Sequence, residues 1–124
     1  IAYCWHSVPG FSKMGSYYGN GSTDGKFVYT GFKPAFVLLK RHTDSSNNWE
    51  IRDNKRVTNN PNNERLFPNT NDTKSVGEGI DFYSNGFKLR NSGTGSNSND
   101  KVYIYMAFAE QPLTTQYGTQ SNGE

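Results

Sequence analysis

Hydrophobic positions along this chain fall in short runs rich in aromatic and β-branched side chains. Gly, Asn, Ser, Thr and Asp return between the runs about every 8–12 residues, the punctuation of a sandwich or barrel. No window carries apolar residues at i, i+3, i+4 and i+7 for long enough to make an amphipathic helix, and Asn, which competes for backbone hydrogen bonds and favours turns, dominates the polar positions. Helices are therefore not expected. The runs predict strands over residues 1–6, 13–18, 26–30, 35–41, 49–53, 65–67, 80–84, 87–90 and 101–109. The expected fold is all-β, an antiparallel β-sandwich (jelly-roll or lectin-like) with long polar loops.

Two of these runs anchor the core. Ala35-Phe36-Val37-Leu38-Leu39 is apolar at every position, as a central strand covered on both sides must be, and Pro34, with no N–H to donate, suits a strand start. Val102-Tyr103-Ile104-Tyr105-Met106-Ala107-Phe108 behaves likewise. Residues 80–90 read as a hairpin, with Asn85-Gly86 supplying the positive-φ pair of a type I′ turn. Alternation then puts Ile80, Phe82, Phe87 and Leu89 on one face and Asp81, Lys88 and Arg90 on the other. A second hairpin joins 38–41 to 49–52 through the polar stretch 42–48, and 54–64 reads as a long surface loop, a place where function concentrates.

The two ends carry one pattern. Ile1-Ala2-Tyr3-Cys4-Trp5 aligns with Ile104-Tyr105-Met106-Ala107-Phe108, and Pro9 then falls on Pro112. This predicts a division into residues 1–9, either the closing strand of a preceding unit or the N-terminal strand of the same sheet, a single sandwich domain over 10–112, and a tail or linker over 113–124. Ile1 already lies inside an apolar pattern, which implies a native polypeptide that begins upstream.

Composition alters the picture at one point. Hydrophobic residues are only 32% of the 124 and mean hydropathy is −0.85, values that border on disorder, but aromatic residues reach 15%. Each ring can bury about 150–250 Å², so a few aromatic strands supply the core that the aliphatic count does not. Thirteen Lys and Arg against eleven Asp and Glu leave a charge of +2, interspersed along the chain, which is a solvated surface and not a nucleic-acid footprint. Cys4 is the single cysteine and has no internal disulfide partner. No apolar run approaches the roughly 18 residues of a membrane-spanning helix, so no membrane insertion is expected.

Candidate chemistry is sparse. His6 and His42 lack Cys or carboxylate neighbours at metal-ligand spacing, and Asn97-Ser98-Asn99-Asp100 lacks the order of a calcium loop, so no metal and no cofactor is expected. Cys4 and His6 share a strand face but have no third group to complete a nucleophile and base. Glu50, Asp53, Glu78 and Asp81 would serve glycoside hydrolysis only if two of them faced each other across a groove, and no catalytic residue is assigned. Ligand contact is expected at Tyr17, Tyr18 and Asn20 in a glycine-rich stretch, where paired tyrosines would form a platform for a sugar ring or a neighbouring subunit. It is also expected at Asn47, Asn48, Trp49 and Arg52, where a Trp stands beside an acid.

The stretch Tyr3-Cys4-Trp5-His6-Ser7-Val8-Pro9-Gly10-Phe11-Ser12, then Gly19-Asn20-Gly21-Ser22, Tyr29-Thr30-Gly31-Phe32-Lys33-Pro34-Ala35-Phe36-Val37, Ser84-Asn85-Gly86-Phe87-Lys88-Leu89-Arg90 and Tyr103-Ile104-Tyr105-Met106-Ala107-Phe108-Ala109-Glu110 run in this order over nearly the whole chain. Jointly they resemble a domain of unknown function found in tail-fibre and tail-associated proteins of marine tailed bacteriophages, often C-terminal to a lectin-like β domain. The resemblance implies a virion structural protein, on the tail or a capsid-associated fibre, that contacts other virion proteins, forms a homo-oligomer with a trimer favoured, and adheres to a host cell-surface glycan. A polysaccharide depolymerase domain and an inert spacer are the alternatives.

Overall fold

A computed structural model describes residues 1–44 and 47–111. Eight strands follow one another: β1 (Ser12–Tyr18), β2 (Phe27–Tyr29), β3 (Pro34–Arg41), β4 (Glu50–Asp53), β5 (Asn62–Arg65), β6 (Ser75–Tyr83), β7 (Gly86–Leu89) and β8 (Val102–Ala109). They form two antiparallel four-stranded sheets, ordered β1-β8-β3-β4 and β2-β7-β6-β5, which make a β-sandwich. Among the described residues there is no helix. The proposed tail at 113–124 lies outside the described residues.

The two wholly apolar runs, β3 and β8, pair antiparallel at the centre of the first sheet, from Phe36 against Phe108 to Arg41 against Tyr103. Strands alternate their side chains between faces, so Val37, Leu39, Tyr103, Tyr105 and Ala107 point into the core while Leu38, Ile104 and Met106 point away from it. The opposite wall comes from Val28, Ile80, Phe82, Phe87 and Leu89. Tyrosines do much of the filling. Tyr17 stacks on Tyr103 at 5.3 Å, and Tyr105 meets Phe87 edge-on at 5.6 Å across the two sheets. Their buried hydroxyls find partners in the loop before β8: Tyr17 donates to the Ser96 carbonyl at 2.7 Å and Tyr103 to that of Thr94 at 2.8 Å. An aromatic core thus also fastens a loop.

The hairpin of β6 and β7 pairs Ile80 with Leu89 and Phe82 with Phe87, and all four are buried as the alternation predicts. Its turn is different. Ser84 and Asn85 form the two-residue connection, and neither Asn85 nor Gly86 has a positive φ, so the turn is not type I′. Gly86 serves close approach instead: a Cβ there would lie 2.2 Å from the Val28 carbonyl oxygen of β2. The loop expected over 54–64 is interrupted by β5, which starts at Asn62. No strand forms over residues 1–6. Trp5 and Phe11 pack edge-on against Phe108, and Ser7 and Ser12 tie the segment to β1, the Ser12 hydroxyl donating to the His6 carbonyl at 3.0 Å. The N-terminal residues therefore lie against the outer side of the first sheet instead of extending it.

Candidate functional site

The outer face of the β1-β8-β3-β4 sheet carries an apolar row in which Met14, Met106, Leu38 and Ile51 stand side by side across four strands. Above it the N-terminal segment on one side and the residues before β4 on the other leave a groove of about 630 Å³. Tyr3, Trp5 and Trp49 wall it, Leu38, Ile104 and Met106 floor it, and Pro68 and Asn69 close the rim. The three rings are 80%, 59% and 36% exposed. The Trp49 backbone is held by Asn69, whose side-chain Oδ1 accepts from the Trp49 backbone N–H at 3.0 Å while its amide donates to the Asn48 Oδ1 at 3.0 Å. Of the residues expected to touch a ligand, Trp49 lies in this groove, and Asn48 reaches it only through its hydrogen bond with Asn69.

Others do not. Tyr17 and Tyr18 are consecutive on β1 and so point to opposite faces: Tyr17 is buried in the core and Tyr18 is 66% exposed, and no paired platform exists. Burial pushes the Tyr17 phenol well above its ordinary value. Asn20 is taken up by structure. Its backbone N–H donates to the Asn97 Oδ1 at 3.1 Å, and the Asn97 amide donates in turn to the Asn20 Oδ1, the Ser22 carbonyl and the Asn91 carbonyl at 2.9, 2.9 and 2.7 Å. Asn97 is fully buried, so this one side chain clips two loops together. The run Asn97-Ser98-Asn99-Asp100, which lacks the order of a calcium loop, supplies the centre of that clip.

Arg52 is also fully buried and contacts no ligand surface. It donates to the Asn62 carbonyl at 3.2 Å and to Glu50 Oε2 at 3.1 Å, while Arg65 holds Glu50 Oε1 at 2.9 Å and reaches Glu78 Oε2 at 3.0 Å. Glu78 has φ 50°, a left-handed conformation costly to a residue with a Cβ, which turns its carboxylate toward Arg65 and the Ser96 hydroxyl. Burial pushes the Glu50 carboxyl up and the Arg52 guanidinium down from their ordinary values, in each case against the pull of its partner. Asn47 and Asn48 line a small cavity of about 150 Å³ that opens onto this cluster, with Glu50, Arg65 and Glu78 also in its wall.

Glu50 and Glu78 are the one pair among the four candidate carboxylates that converges, both on a single Arg65 nitrogen, which puts their nearest oxygens within about 6 Å of each other. A glycosidase needs one such carboxyl free to give up a proton. Here both Glu50 oxygens are engaged by arginines, and Gly95 packs so closely that a Cβ there would lie 2.0 Å from Oε1. The arrangement is a four-membered ion lock between the sheets. Among the described residues no group of three His, Cys, Asp or Glu side chains is placed to hold a metal ion.

A family model described as "Domain of unknown function (DUF7483)" matches residues 1–112. The chain belongs to this family. No curated protein and no solved structure matches it. The DUF7483 match covers both sheets and every residue of the groove. Tyr3 and Trp5 had read as strand residues, and the signal that they line a groove is the apolar outward half of β3 and β8, which demanded a cover on that side.

Proposed function

We propose that this domain is a structural and adhesive module of a bacteriophage fibre, and that the groove receives the apolar face of a sugar ring on the host surface. The observation that carries the reading is the convergence of Tyr3, Trp5 and Trp49, three exposed rings from two distant segments, on one groove with an amide-bearing rim. Sugar rings present C–H faces that stack on aromatic side chains, and their hydroxyls take hydrogen bonds from Asn amides at the edge. The likeness to tail-fibre sequences supports the setting, with a virion location and association into a homo-oligomer, a trimer, beside other virion proteins.

Pull-down of host cells and a glycan array with the purified chain test the reading. Binding should fall about tenfold on Trp49→Ala and again on Trp5→Ala, with folding intact. Binding that is absent in the parent chain would leave only the spacer role, and binding undiminished from the parent in both variants would overturn the groove as the site.

A further inference from the structure

We infer that the outer face of the other sheet is a second saccharide site, built from residues that the groove does not use. Across β2, β7 and β6 the register sets Tyr29, Gly86 and Tyr83 in one row and Phe27, Lys88 and Asp81 in the next. Gly86 has no side chain, and the Phe27 ring lies in the space a Cβ there would take, 2.9 Å away, and meets Tyr83 at 6.0 Å. Strand spacing and rise make this platform about 10 Å by 7 Å, room for a pyranose ring.

A polar cleft of about 590 Å³ adjoins the platform, lined by Thr23, Asp24, Asn60, Pro61, Asp81 and Arg90. The two are joined at Asp81. This carboxylate is buried, accepts from the Tyr83 hydroxyl at 3.2 Å and is held by the Arg90 Nε at 3.2 Å, so its orientation is fixed before any ligand arrives. Lys88 and Arg90 lie 2.6 and 3.7 Å from Asp24. Two cations and two carboxylates leave the patch without net charge, which suits a neutral sugar and disfavours a sulfated or phosphorylated one. Rings packing over a strand glycine would by themselves account for Phe27 and Tyr83. They do not account for an oriented carboxylate and guanidinium at the platform's edge, nor for the 65% exposure that Tyr29 keeps at the end of the same row while its ring rests beside Gly31.

The ligand class is a neutral pyranose oligosaccharide, its C–H face on the rings and adjacent hydroxyls on Asp81 and Arg90. The probes are cellohexaose, mannohexaose and the hexamer of N-acetylglucosamine, titrated at millimolar concentration into the isotope-labelled chain and followed by amide NMR. At least one should shift resonances of β2, β6 and β7. Tyr83→Ala should weaken that titration about tenfold, and Tyr83→Phe, which keeps the ring and removes only the hydroxyl on Asp81, by less. Trp49→Ala should leave it unchanged, so failure of the groove and failure of this site are read separately. If no probe shifts these strands, or if the shifts persist undiminished in both Tyr29→Ala and Tyr83→Ala, the inference is wrong.

Discussion

Replacing Arg52 by Met removes the only fully buried cation of the ion lock and leaves its partners in place. Glu50 keeps Arg65 at 2.9 Å, but its Oε2 loses the guanidinium at 3.1 Å, and the Asn62 carbonyl loses its donor at 3.2 Å. Stranding part of a buried charge costs about 3–5 kcal/mol, and the Met side chain returns some of that by filling the space. The expected net loss is about 3 kcal/mol, a fall of about 1–3 M in the urea midpoint at the slopes usual for small domains. Arg52→Met combined with Glu50→Leu should be less destabilised than Arg52→Met alone, since the double variant no longer buries the stranded carboxylate, while Arg65 retains Glu78 at 3.0 Å. Urea unfolding followed by circular dichroism measures all three free energies. A loss under 1 kcal/mol in the single variant, or a double variant whose loss equals or exceeds the sum of the two singles, would refute the argument that the cluster is a mutually dependent lock.

Asn97→Ala deletes a buried amide with four hydrogen bonds and should cost about 2–4 kcal/mol, with hydrogen exchange at Gly21 and Asn20 accelerating before that of the sheets. Gly86→Ala sets a methyl 2.2 Å from the Val28 carbonyl oxygen and must push β2 from β7, lowering the thermal midpoint by at least about 5 °C. For Asp53, burial pushes the carboxyl up, but the backbone N–H groups of Arg56 and Lys55 and the Arg56 guanidinium outweigh it and hold it below its ordinary value of 3.8. A depressed carboxyl stabilises the fold above that value and loses its contribution as pH falls below it, so Asp53→Asn should flatten the acid limb of stability against pH. Glu50 acts in the opposite sense, because a raised carboxyl favours the fold at low pH and loses that contribution as pH rises.

Much of the fold was legible because short-range physics decides it. Period-two alternation placed Ile80, Phe82, Phe87 and Leu89 on one face, and runs apolar at every position marked β3 and β8 as central. Local rules failed where a distant element set the requirement. The Asn85-Gly86 pair suggested positive φ, whereas the glycine is needed because β2 passes 2.2 Å from where a Cβ would sit. The sequence also separates Asn20 from Asn97 and Glu50 from Glu78, and nothing local says that each pair converges.

The candidate site divides in the same way. Trp49 and Asn48 stood out from residue type alone. Tyr17 stood out equally and is buried, because which face of β1 turns inward is set by the opposite sheet, where Phe87 meets its ring. Arg52 read as a ligand contact from its place near Trp49 and an acid, and only the packing of two sheets around Glu50 supplies partners enough to bury it. The sequence by itself thus determined the strand content, the central pair and the aromatic character of the core, all set by neighbours a few residues apart. Tertiary structure alone decided which polar residues became locks, which rings met in a groove, and which row of side chains faced water, because those outcomes depend on contacts between residues far apart in the chain.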